Sequence, residues 1–188
     1  MIYTTLLKLS EHGRYLESWD RLFASIGKTP IVSEDPDDYG AYDNDPIPLL
    51  AILECNGYRD AVWALRAVDG YDGPIRSLAC DFAERVVPGY ETRHGNNGVR
   101  SVISASRRAA SGNAASGYPG AVANSIWGLL WTENRVAAKD YAWSAAFAVA
   151  ASVAWIAAYK AMQAGLRNGD EESIWQERRF REWLNDIK

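Results

Sequence analysis

The chain is poor in the residues that build covalent and metal chemistry. It holds two cysteines and two histidines in 188 residues. Cys55 and Cys80 each lie in or at the end of an apolar, helix-like run. That excludes a dense disulfide framework and points to two reduced, buried thiols in a cytoplasmic protein. His12 and His94 sit beside glycines at predicted helix ends, and their spacing from the cysteines matches no zinc pattern. No metal site and no cofactor is expected. The sequence also lacks a nucleophile elbow, a phosphate loop and a dinucleotide fingerprint. Gly112, Gly117 and Gly120 are loosely spaced and no strand precedes them. No acidic segment has the register of an EF-hand. With no catalytic residue in view, an enzyme is not expected.

Two further absences bear on location. Met1 to Leu7 has neither a basic stretch nor a long apolar run, so no signal peptide is expected. The charge-free segment Tyr141 to Tyr159 has nineteen positions, near the length that spans a bilayer. Much of it is alanine, with Ser144 and Ser152 interspersed, and alanine adds little to insertion. It reads as a buried central helix, not a membrane span.

What is present suits a helical globule. Apolar residues make up 48% and charged residues 23%, which argues against disorder. A chain of this length buries roughly 70% of its unfolded surface and needs no cross-link to be stable. Eight tryptophans and ten tyrosines are generous, and such rings anchor cores or interfaces. No stretch alternates apolar and polar residues, whereas helical spacing recurs throughout. Leu6, Leu7 and Leu9 form a first short helix, then Tyr15, Leu16, Trp19, Leu22, Phe23 and Ile26 a second. Pro48 to Glu54 makes another, closed by Asn56-Gly57, and the next carries Ala61, Val62, Leu65 and Val68. Asp72 is positioned to cap a helix whose stripe is Ile75, Leu78, Ala79, Phe82 and Val86, with Pro88-Gly89 expected to end it. Asn96-Asn97-Gly98 opens a helix carrying Val99, Val102, Ile103 and Ser106. A long alanine-rich helix is expected over about 132–167, and a last one over about 170–187 with Phe180, Trp183, Leu184 and Ile187 on one face. The expected fold class is all-α: one domain over 1–188, a bundle of about eight helices around the alanine-rich one.

Charge is unevenly placed. Net charge is −4, from 24 acids and 20 bases. The proline- and glycine-punctuated loop 27–46 carries Glu34, Asp35, Asp37, Asp38, Asp43 and Asp45 with no base after Lys28. Between Thr92 and Thr132 there are four arginines, Arg93, Arg100, Arg107 and Arg108, and no acid. The acidic loop either simply solvates itself or steers the protein onto a basic partner. Arg100 and Arg107 are seven apart, hence on one face, with Arg108 beside them. They form a solvated face, pair with the acidic loop, or clamp an anionic ligand. Four cations without interleaved aromatics are too few to point to nucleic acid. The carboxylate pairs Asp81/Glu84 and Glu171/Glu172 lie beside Arg85 and Arg178-Arg179 and read as surface salt bridging. The candidate partner-binding residues are therefore Asp35, Asp37, Asp38, Asp43, Asp45, Arg100, Arg107 and Arg108.

The stretch Pro46 to Ser111 carries a resemblance. Ile47-Pro48-Leu49-Leu50 and Asn56-Gly57 lead to Ala61-Val62-Trp63-Ala64-Leu65-Arg66-Ala67-Val68, then Cys80-Asp81-Phe82-Ala83-Glu84-Arg85-Val86-Val87-Pro88-Gly89-Tyr90-Glu91, then Arg100 to Arg107. This pattern resembles the Imm-5-like immunity proteins and related helical phage proteins, as does the tail Trp175 to Leu184. It departs from them at Gly98-Val99-Arg100, where an arginine-proline-arginine is usual. A second departure is Gly117-Tyr118-Pro119-Gly120, which interrupts the alanine-rich region. The resemblance implies a non-enzymatic protein of phage or bacterial conflict that binds and neutralises another protein, anti-defence and anti-CRISPR proteins included. The alternatives are a small anionic-ligand binder, or unrecognised enzyme, with a pocket around Arg100 and Arg107, and a homodimer built on Trp127, Trp131 and Trp143.

Overall fold

A computed structural model describes residues 1–11, 16–28, 44–94, 99–112, 158–159, 161–163 and 170–187. The helices among them are α1 (Leu6–Ser10), α2 (Leu16–Ser25), α3 (Leu49–Asn56), α4 (Tyr58–Ala64), α5 (Asp72–His94), α6 (Val99–Ala110) and α7 (Asp170–Asp186). A 3-10 turn, Leu65–Ala67, continues α4. Residues 158–159 and 161–163 are helical, and the rest of the expected 132–167 helix lies outside the described residues. The fold is all-α. No helix among the described residues is long and apolar enough to cross a membrane. The chain divides into two compact units, Met1–Gly70 with Phe180–Lys188, and Tyr71–Arg179.

In the first unit, Thr5 caps α1 by accepting a hydrogen bond from the Lys8 amide at 3.2 Å. Gly57 separates α3 from α4 at φ 89, a left-handed value that only glycine adopts without a steric penalty. The core is Ile2, Leu6, Leu9, Leu22, Phe23, Leu49, Ile52, Leu53, Val62 and Leu65, closed by Phe180, Trp183 and Leu184 of α7. One feature has no local signal in the sequence, a two-stranded antiparallel pair of β1 (Tyr3–Thr4) with β2 (Ile47–Pro48). Each strand has two residues, too short to show an alternating pattern, and the partners are far apart in the chain. Pro48 is tolerated because a two-stranded ribbon leaves one side of each strand without a ladder. The Thr4 hydroxyl, buried beside this pair, donates to the Ala67 carbonyl at 2.7 Å.

The second unit is built on the antiparallel packing of α5 and α6. Ile75, Leu78, Ala79 and Phe82 are buried as their spacing predicts, together with Cys80, Ala83 and Val87. Val99, Val102, Ile103, Ala105 and Ser106 supply the α6 side, and Ala158, Ala161 and Met162 are buried as well. Asp72 is the first helical residue of α5, one position later than a cap, where its charge still favours the helix N-terminus. Pro88-Gly89 does not end α5, which runs on to His94 with Pro88 inside it. Proline removes one backbone donor, but Pro88 is exposed and the turn beyond it is held from outside. There Glu91 is gripped by Arg100 of α6, with both hydrogen bonds at 2.6 Å. A tertiary pair thus meets α5 beyond the local stop signal.

Two substitutions probe the α5–α6 seam. An ideal Cβ on Gly73 meets the Ala110 carbonyl oxygen at 2.6 Å, so Gly73→Ala is expected to destabilise by about 1–3 kcal/mol in urea unfolding. The buried Ser106 hydroxyl has no hydrogen-bond partner among the described residues, so Ser106→Ala is expected to be neutral or to stabilise by about 1 kcal/mol in the same assay.

Candidate functional site

The richest polar site lies in the second unit, where α5, α6 and α7 exchange charged side chains. On α5, Asp81, Glu84, Arg85 and Pro88 fall at i, i+3, i+4 and i+7, one face of the helix. On α7, Trp175 and Arg179 are four apart and share a face in the same way. Together these six residues line an open cleft of about 450 Å³.

Asp81 is the hub. One carboxylate oxygen accepts from Arg107 Nη2 at 2.9 Å, and the other accepts from Arg179 Nε at 2.8 Å, with Arg179 Nη2 2.7 Å away. Arg107 also donates to Glu84 through Nη2 at 2.8 Å and Nε at 3.3 Å, and to the Ser77 hydroxyl at 3.3 Å. Desolvation pulls the Arg107 guanidinium pKa down, but the hydrogen bonds to Asp81 and Glu84 outweigh it and raise it. The Glu91 carboxyl is held below its usual range by the hydrogen bonds from Arg100. Behind this layer, burial pushes the Cys80 thiol up to about 12; Arg107 draws it down while Glu84 and Asp81 add to the rise. It stays protonated at neutral pH, the inert behaviour of a structural cysteine.

Beside Arg85, Glu172 is buried. Its Oε1 accepts from Gln176 Nε2 at 3.0 Å, and its Oε2 lies 3.5 Å from Arg85 Nε. Desolvation raises its carboxyl above the ordinary 4.5, while the Gln176 hydrogen bond and Arg85 pull it back. The Arg85 guanidinium stands 5.5 Å from the centroid of the Trp175 ring.

The sequence-derived candidates are distributed differently from expectation. Arg100 and Arg107 both carry carboxylate partners, and these come from α5, not from the acidic loop. Arg108 is exposed and makes no ion pair among the described residues. Asp45 is exposed and paired with Lys28 at 2.8 Å. Asp35, Asp37, Asp38 and Asp43 lie outside the described residues, as do His12, Trp127, Trp131 and Trp143. The reading of Asp81/Glu84 and Glu171/Glu172 as surface pairs with neighbouring arginines needs correction. Asp81 and Glu84 take Arg107 from α6, Asp81 takes Arg179 from α7, and Glu172 is a buried group facing Arg85 of α5. Helical spacing allows Asp81 to reach Arg85, but packing brings arginines from α6 and α7 closer to it. Trp175 and Arg179 line the cleft without a local sequence signal for it, whereas the i, i+3, i+4, i+7 stripe on α5 is a usable signal for Arg85. Among the described residues no three His, Cys, Asp or Glu side chains gather as metal ligands.

Two outcomes test the ion-pair frame. Arg107→Met is expected to lower unfolding stability by about 1–2 kcal/mol, since the partly buried Asp81 keeps only Arg179 and Glu84 loses its partner. Arg100→Met, at an exposed pair, is expected to shift the midpoint far less. Glu172 sets a pH signature. Its folded-state pKa is raised, so its contribution favours folding at low pH and is lost as pH climbs from 4.5 through the folded value. Glu172→Gln, which keeps an acceptor for Gln176, is expected to remove that downward slope in unfolding free energy measured from pH 4 to 7.

Compared with protein-family models, with curated proteins and with solved structures, the chain matches none of them.

Proposed function

We propose that the protein is a non-enzymatic, protein-binding inhibitor of the immunity or anti-defence type, and that its acidic unit meets a basic partner. The observation that carries this reading is the segregation of charge. Met1–Gly70 with Phe180–Lys188 holds fourteen acids against eight bases, whereas Tyr71–Arg179 holds ten acids against twelve bases. Six of the fourteen acids fall between Glu34 and Asp45. A field of one sign over one unit speeds the approach of an oppositely charged protein and discourages like-charged ones.

Two further points support it. The α6 arginines Arg100 and Arg107, the other candidate for anion recognition, are engaged by Glu91, Asp81 and Glu84, which suits a structural role. The resemblance of residues 46–111 and 175–184 to Imm-5-like immunity proteins and helical phage proteins supports a place in phage or bacterial conflict.

The partner is sought by pull-down from lysate of the native host, then purified and measured directly. The triple substitution Asp35→Lys, Asp37→Lys, Asp38→Lys is expected to slow association about tenfold or more at low salt, with the melting temperature unchanged. Association at the wild-type rate by the folded triple variant removes the acidic segment as the docking surface.

A further inference from the structure

One wall of the cleft in the second unit is not explained by the ion-pair frame. Asp81 is answered by Arg107 and Arg179, and Glu84 by Arg107. Arg85 is answered less completely. Among the described residues its one ion pair is the 3.5 Å approach of Nε to Glu172, longer than a good hydrogen bond, and its terminal amino groups donate none. Glu172 has little more to give, being buried and already bonded to Gln176. The Arg85 side chain is 46% exposed, lines the cleft, and has its guanidinium beside the Trp175 indole. A cation–π contact at this distance favours the guanidinium's place beside the ring, so that less freedom is lost when it takes a ligand.

We propose that this cleft binds a monocarboxylate with an apolar body. The terminal amino groups of Arg85 take the carboxylate in bidentate fashion, and Trp175 and Pro88 receive the body. The cleft, about 450 Å³, is of the size that holds small ligands. Charge selects the class. On the lining, Asp81 and Glu84 balance Arg85 and Arg179, so the site starts neutral and accepts one negative charge at Arg85. A dianion such as phosphate meets Asp81 and Glu84 on the same lining and is disfavoured. A free small acid and the C-terminal carboxylate of a peptide share this chemistry. The site is independent of the acidic unit and of the inhibitor reading.

The test titrates the full chain with phenylacetate, with the tripeptide acetyl-Ala-Ala-Phe, with phenylacetamide and with inorganic phosphate, by calorimetry and by ligand-observed NMR. The expected result is saturable binding of at least one carboxylate, at least about tenfold tighter than the amide, and no binding of phosphate. The tighter of the two carboxylates identifies the source. Arg85→Lys, which keeps a cation beside Glu172 but loses the fork, weakens binding about tenfold with an unchanged melting temperature. Trp175→Leu does the same from the other wall, so the outcome does not hang on one variant folding. The Asp35, Asp37, Asp38 triple variant binds as wild type. No saturable carboxylate binding by the folded wild-type protein, equal binding of the amide, or wild-type affinity in folded Arg85→Lys and Trp175→Leu overturns the proposal.

Discussion

A single carboxylate, Asp81, ties three helices of the second unit together. It projects from the middle of α5, and each of its oxygens is taken by an arginine from a different element, Arg107 of α6 and Arg179 of α7. Apolar packing supplies the driving force of the unit, because the buried faces of α5 and α6 carry Leu78, Phe82, Val102 and Ile103 against one another. Hydrophobic contact is non-directional, however, and leaves helices free to slide by a turn. A bidentate, charge-assisted link has strict geometry, so the Asp81 node fixes the rotation and register that packing alone leaves loose. Beyond Pro88 a separate pair, Arg100 with Glu91, links α6 to the last turns of α5.

Neutralisation within this frame decides what the arginines are able to do. A guanidinium already held by two carboxylates has lost most of its capacity to bind a further anion, and Arg107 is in that state. Arg85 is not, because its counter-charge is a buried, desolvated glutamate at the edge of hydrogen-bonding range. Unequal satisfaction of similar residues, more than their number, separates a structural cation from a recognition group. Cys80 follows the same logic in reverse: burial against the α5–α6 seam keeps it a thiol, so it serves as a small core residue.

The two units differ in sign of charge, and a chain folded this way carries its electrostatic instructions in separate parts. The acidic part raises encounter rates with cationic surfaces, and the weakly basic part repels them less strongly than its own partner unit attracts them. Interfaces governed by such fields gain specificity and speed before they gain affinity.

Most of the helical architecture of the described residues was legible in the sequence, for local reasons. Helix period, capping residues and glycine stops are written within a few residues of where they act, and they located α1 to α4, α6 and α7 and the buried stripe of α5. The all-α class follows from that pattern, as does the placement of Arg100 and Arg107 on one side of α6. What the sequence did not contain was decided by contacts between distant residues. The β1–β2 pair joins Thr4 to Ile47, Arg100 grips Glu91 beyond Pro88, and Asp81 meets arginines 26 and 98 positions away. Which charges cancel and which remain to face a cleft is set by such long-range pairings. Sequence fixes the charge and the helical face of each residue, whereas only packing chooses its partner.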